Sequence, residues 1–220
     1  MPSPELIDKN FSRGPDKAPH FHALKRLSER LSYSLVSLVL ESKTLTAAAA
    51  VLALLIRAGE TCLRLNNYDT TVLIVSVLHH EAVFRLKGAW ARAKKALPAG
   101  AFSNLTAAVG VAGRDLKASM MLDLMTDPPC MPAVGVFLTS LINAAEDPDL
   151  DPSDENAKRI NLVKLRRVST TVALVKATQD VHYSCHIDEE VCQGLLEDPD
   201  FPSEDSAYAR SLELQGRAGK

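Results

Sequence analysis

Thr139, Ile142 and Glu146 recur at intervals of three and four with Gly135 one turn earlier, so a helix through them places all four on one stripe. That stripe carries an apolar tip one turn ahead of a carboxylate. Glu146 falls in the last helical turn, where the macrodipole opposes a negative charge. By themselves these residues also suit an Ile142 that packs in the core and a Glu146 that opens an acidic loop. Other chemistry-bearing groups are weaker. His20 with His22, His79 with His80, and Cys185 with His186 suggest a metal centre, but none supplies four ligands at a recognisable spacing, and adjacent helical residues point apart. A Cys–His hydrolase needs nucleophile and base brought together, and no local signature marks such a pair. Gly110 to Gly113 lacks the Gly-Lys-Ser/Thr of a phosphate loop. The sequence therefore implies no metal site and no cofactor.

The elements that must position these residues are helical. Leu24, Leu27, Leu31, Leu35 and Leu38 recur with the spacing of a buried helical stripe. A second helix is expected from Thr46 to Leu65, its Ala-rich first half favouring helix and close packing. Asp69 or Thr70 can cap a third through Leu78, with an apolar run from Val72 to Val77 that suggests a central place. Further helices are expected over Lys87 to Leu97, Leu116 to Met125, Ala133 to Asp147, Ile160 to Gln179, Ile187 to Leu196 and Ser203 to Leu214. Pro98, Gly100, Gly110 and Gly113 punctuate the gaps, and Pro148 ends the helix that carries Glu146. Val134, Leu138, Leu141 and Ala145 form the stripe of that helix expected to face inward. No period-two alternation competes, so the fold class is all-α.

The chain has 220 residues and a net charge of -2, enough for one sizeable core and without the basic footprint of a nucleic-acid binder. Its four cysteines show no Cys-x-x-Cys spacing and read as reduced cytosolic thiols. The longest uninterrupted apolar run, Ala47 to Ile56, is well short of the roughly 20 residues that span a bilayer, so no direct membrane insertion is expected.

Two blocks carry a resemblance. The first, LRLNNYDTTVLIVSVLHHEAVFRLKGAW from Leu63 to Trp90, contains Leu65, Asn66, Asn67 and Tyr68, then Ser76, Leu78, Val83, Arg85, Leu86, Lys87 and Trp90. The second is PPCMPAVGVFLTSL from Pro128 to Leu141. Together they resemble the catalytic domain of Ras-family guanine-nucleotide exchange factors. The resemblance implies a single orthogonal helical domain with a protruding helical hairpin. Residues 20–220 would form it, after an irregular lead-in over residues 1–19, and without the helix with which such domains normally begin.

The resemblance also implies a function. The helix from about 133 to 147 would wedge against the switch region and phosphate loop of a Ras-like small GTPase of Ras, Rap or Ral type. Thr139, Ile142 and Glu146 would carry the exchange, with Ile142 where magnesium would sit and Glu146 on the phosphate loop. Arg26, Ser76, His79, Phe84, Asp115 and Leu116 match GTPase-binding positions, with most of the Phe84 ring expected to be buried. Asn66, Asn67 and Trp90 read as structural, the asparagine amides satisfying backbone groups at helix ends. No covalent bond would change, so this is not enzyme chemistry in that sense. The protein is expected in the cytoplasm, recruited to membrane through its GTPase.

Several positions depart from the family pattern. His79, His80 and Glu81 stand where small polar residues are usual, Asp115 and Leu116 replace a polar-aromatic pair, and Ala133 replaces a large apolar residue. These departures support a second reading, a catalytically silent interaction module. Retention of Thr139, Ile142 and Glu146 on one stripe favours exchange.

Overall fold

The computed structural model describes residues 3–7, 10–110, 114–153, 159–196 and 204–216. In order the elements are α1 (Ser3–Leu6), a 3-10 turn (Asn10–Ser12), α2 (Pro19–Leu40), α3 (Leu45–Arg64), α4 (Tyr68–His79), α5 (Glu81–Phe84), α6 (Lys87–Lys95), α7 (Ala101–Ala108), α8 (Arg114–Thr126), α9 (Val134–Glu146), α10 (Leu162–Ala177), α11 (Glu189–Leu196) and α12 (Glu204–Leu214). Among the described residues there is no strand, only an isolated bridge between Leu150 and Ile160. The fold is all-α.

Contacts gather into two compact units, Met1–Arg26 with Gly113–Tyr183 and Leu27–Ala112 with Ser184–Lys220. The sequence pattern alone suggests one domain. The boundary after Arg26 falls within α2, where no linker composition marks it, and the other two follow Ala112 and Tyr183.

In the second unit α3 is central, packing against α4, α6 and α7. Thr44 starts it, its Oγ1 accepting from the Ala47 N–H at 3.1 Å, which satisfies one of the donors a helix N-terminus leaves open. Although α3 has the length and apolar composition of a membrane span, its Ala48, Ala49, Leu52, Ala53, Leu55 and Ile56 are buried in the unit's core. Full burial of side chains such as Leu52 and Ile56 contributes about 1.5 to 3 kcal/mol each. Gly59 permits the close approach of α7: a Cβ there would lie 2.7 Å from Leu105 Cδ2.

Expectation and structure differ at several elements. Leu27 and Leu38 are exposed, and the buried face of α2 runs instead through Leu35, Val36, Val39 and Leu40. The neighbours of the leucine stripe, Val36 and Val39, are apolar too, so leucine spacing alone does not fix which side turns inward. The cap of α4 is Asn67, whose Oδ1 accepts from the Thr70 N–H at 3.1 Å, rather than Asp69 or Thr70. Helices α5 and α7 are additions to the sequence reading. The first is a single turn, and the second begins after Gly100, whose φ of 83° lies where side chains are disfavoured.

In the first unit the described part of the lead-in carries α1 and the 3-10 turn. Leu6, Phe11 and Ala18 are buried, and so is Glu5. Glu5 accepts from the backbone N–H of Phe21 (2.9 Å) and His20 (3.3 Å) at the start of α2, and its Oε1 lies 2.6 Å from His20 Nδ1. Burial pushes the carboxyl's pKa up, but the Phe21 N–H, the His20 ring and the His20 N–H outweigh it and hold Glu5 below its ordinary value. Its charge therefore ties α1 to the open N–H groups of α2. The unit also holds α8 and a helical hairpin of α9 and α10, with α1 against α10.

Candidate functional site

The α9 stripe emerges from the packing of its opposite side. Phe137, Leu141 and Ala144 are the buried residues, which turns the inward face slightly from the Val134, Leu138, Leu141, Ala145 stripe expected from spacing. Of that expected stripe only Leu141 is fully buried, and the other three are half-buried. Gly135, Thr139, Ile142 and Glu146 are all exposed, Ile142 to 37%. Thr139 Oγ1 donates to the Gly135 carbonyl at 2.9 Å, so its hydroxyl is engaged within α9. Among the described residues no donor reaches the Glu146 carboxylate, whereas its neighbours in the acidic segment are engaged.

Those neighbours form a latch. Asp147 caps the C-terminus of α9 with ψ of 143°, the extended conformation imposed on a residue before proline. Its Oδ2 accepts from Arg167 Nη1 at 2.7 Å, and its carbonyl accepts from Lys164 Nζ, also at 2.7 Å. Lys164 further reaches Asp149 Oδ1 at 2.6 Å. Asn161 caps α10 by accepting from the Lys164 N–H (3.0 Å) while its amide donates to the Pro148 carbonyl (3.0 Å). Two cross-loop backbone bonds, Asn161 N–H to Asp149 carbonyl (2.9 Å) and Asp151 N–H to Arg159 carbonyl (2.8 Å), complete the closure. Acidic side chains and orphaned carbonyls at the α9 terminus are thus satisfied by α10, while the exposed Glu146 carboxylate keeps no such partner among the described residues.

In the second unit Ser76 and His79 lie on one exposed face of α4. The His79 ring stacks on Phe84 (centroids 5.8 Å apart) and tilts against Phe102 (5.3 Å). Phe84 is 42% exposed, so part of its ring is offered to solvent while the rest is covered. One side meets Trp90, and Lys87 Nζ lies 3.9 Å from its centroid, within cation–π range. Trp90 is buried, packs on Phe102 and donates from Nε1 to the Val83 carbonyl at 3.2 Å, fixing the α5–α6 turn. Asn66 precedes the cap of α4 with φ of 55°, a left-handed conformation that asparagine tolerates.

The other candidates separate. Arg26 is exposed. Leu116, expected at a GTPase contact, is buried at 6% exposure, because it is an apolar residue on the inner side of α8. The side chain of Asp115 lies outside the described residues. Among the described residues no group of three or more His, Cys, Asp or Glu gathers to hold a metal. Cys130 is held as a thiol, with its pKa pushed up to about 11 by burial and by Asp123, the opposite of an activated nucleophile.

A family model described as the RasGEF domain matches residues 1–166. The chain belongs to the RasGEF domain family. This RasGEF chain is 25% identical over 210 residues to Ras-specific guanine nucleotide-releasing factor 1 of Rattus norvegicus, covering 94% of the chain and 16% of the relative. It is 29% identical over 162 residues to Ras-specific guanine nucleotide-releasing factor 2 of Danio rerio, covering 74% and 13%. It is 24% identical over 199 residues to Ras guanine nucleotide exchange factor A of Dictyostelium discoideum, covering 88% and 32%. The RasGEF chain thus spans less than a third of the length of these curated relatives.

Sequence reasoning missed the parts of the RasGEF chain that act through tertiary contact. Lys164 and Arg167 had no signal beyond a basic helix following an acidic loop. Phe102 sits on the helix that was not foreseen. Arg85, quoted for its motif, holds α12 by donating to Ser211 Oγ and the Gln215 carbonyl, each at 3.0 Å.

Proposed function

We propose that this chain is a guanine-nucleotide exchange domain for a Ras-type small GTPase, and that α9 is the element it presents to the nucleotide site. The observation that carries the proposal is the exposed Thr139–Ile142–Glu146 stripe on a helix whose C-terminus is latched to α10. Membership of the RasGEF family and the Ras-directed names of its relatives support the choice of partner.

The chemistry follows from what a bound nucleotide needs. A phosphate loop is a nest of backbone N–H donors at a helix N-terminus, and a carboxylate offered there competes with phosphate. Glu146 has no intramolecular donor among the described residues to give up before making that contact. Magnesium requires oxygen ligands in a near-octahedral shell, and an aliphatic tip such as Ile142 supplies none. Stabilising the nucleotide-free GTPase accelerates release and rebinding alike, so the relative abundance of nucleotides sets the product. Arg26 and the exposed Ser76, His79 and Phe84 are proposed as docking residues. Leu116 supports α8 from within.

The test is release of labelled GDP from Ras, Rap and Ral-type GTPases with and without the chain. Acceleration on one of them supports exchange. Binding without acceleration would establish the silent interaction module instead, the reading favoured by the exposed imidazole of His79 at a proposed contact.

A further inference from the structure

We propose that the groove between α8, α9 and α10 is a binding site for a compact phosphorylated ligand of the inositol polyphosphate type, taken free or as a lipid headgroup. The groove has a volume of about 440 Å³ and is lined by three cations, Lys117, Arg166 and Arg167, with the hydroxyls of Ser140 and Thr170. No carboxylate is among its described lining residues. In a chain whose net charge is -2, three cations with no acid among the described lining residues, only Arg167 being paired to a carboxylate, make a local excess of positive charge. Such concavities raise the local concentration of anions.

The donors are of two kinds. Lys117 Nζ is fixed by donating to Ser140 Oγ at 2.8 Å, so one ammonium is held at the α8–α9 wall with further N–H groups to offer. Arg166 is exposed and has no acidic partner among the described residues, leaving a planar fork suited to bidentate phosphate recognition. Arg167 spends one nitrogen on Asp147 and retains other donors. The concavity suits a compact polyanion better than an extended acidic peptide, and the partly buried Met121 gives it an apolar wall.

A ligand here would touch the latch through Arg167, but the inference does not depend on exchange activity, because its readout is binding. The full chain is titrated calorimetrically with inositol trisphosphate. In parallel it is sedimented with phosphatidylcholine vesicles containing phosphatidylinositol bisphosphate, or phosphatidylserine at matched charge. Arg166→Ala alone, on an exposed side chain, is expected to weaken binding measurably, and with Lys117→Ala by about tenfold or more. Lys94→Ala with Lys95→Ala removes the same charge from α6 and should leave binding intact. Saturable binding of trisphosphate identifies a soluble ligand, and binding to bisphosphate vesicles alone identifies the lipid headgroup; either supports the site. The proposal is overturned if neither probe saturates, if phosphatidylserine vesicles bind as well as bisphosphate vesicles, or if the α6 variant loses as much as the groove variant.

Discussion

Lys164 closes the α9–α10 hairpin on Asp147, its ammonium donating to the Asp147 carbonyl at 2.7 Å. A helix C-terminus leaves its last carbonyls unpaired and partly negative, and a cation there answers both deficits. The lysine side chain is 16% exposed, whereas the Asp149 carboxylate it also meets is 90% exposed. The carbonyl contact, not the ion pair, is therefore the stabilising part.

Lys164→Met keeps most of the stem and removes the charged donor. It should destabilise the first unit by about 1 to 2 kcal/mol, the worth of a partly buried charge-assisted bond. Thermal unfolding checks this, and an unchanged transition would show that the latch is ornamental.

Glu146 and Asp147 are adjacent carboxylates with opposite roles, and their amide variants should separate them. Asp147→Asn loses the ion pair with Arg167 and should lower stability. Glu146→Gln should leave stability unchanged or raise it by about 0.3 to 1 kcal/mol, since the α9 dipole opposes that charge. If exchange activity falls with Glu146→Gln while the melting temperature does not, the carboxylate serves the partner rather than the fold.

Helical periodicity made Gly135, Thr139, Ile142 and Glu146 legible as one stripe, and Pro148 marked where α9 ends, but spacing suited a core Ile142 equally, and the outward reading came from the family resemblance. The Asn-Asn motif was legible as a structural device, although the cap fell on Asn67 rather than the residues after it. The latch was not legible. Pairing Asp147 with Lys164 and Arg167 depends on the path of the intervening loop, which residue spacing does not encode. Phe84 shows the same limit: its placement between His79 and Lys87 depends on tertiary packing that residue spacing does not encode.

Asn67→Ala should cost about 1 kcal/mol by leaving the Thr70 N–H without its acceptor. Asn66→Gly should be tolerated at its positive φ, while Asn66→Val should be strained. Denaturant midpoints for the three variants test this order, and equal losses for Gly and Val would contradict it.

Glu5 makes the first unit acid-sensitive. Its folded pKa lies below the ordinary value of 4.5, so the stability it contributes is fully present above that value and is lost as pH falls through the folded pKa. Glu5→Gln should lower the melting temperature at neutral pH and flatten the acid limb, with the two curves converging at low pH. Parallel curves across the range would remove Glu5 from the account.

The most direct test of the central claim is GDP release from a Ras-type GTPase, comparing the native chain with Ile142→Ala combined with Glu146→Ala. Both residues are exposed, so the double variant should fold as the native chain does. The account predicts that the native chain accelerates release and that the double variant loses about tenfold or more of that acceleration. No acceleration on any Ras, Rap or Ral-type GTPase, or an undiminished rate in the double variant, would contradict it.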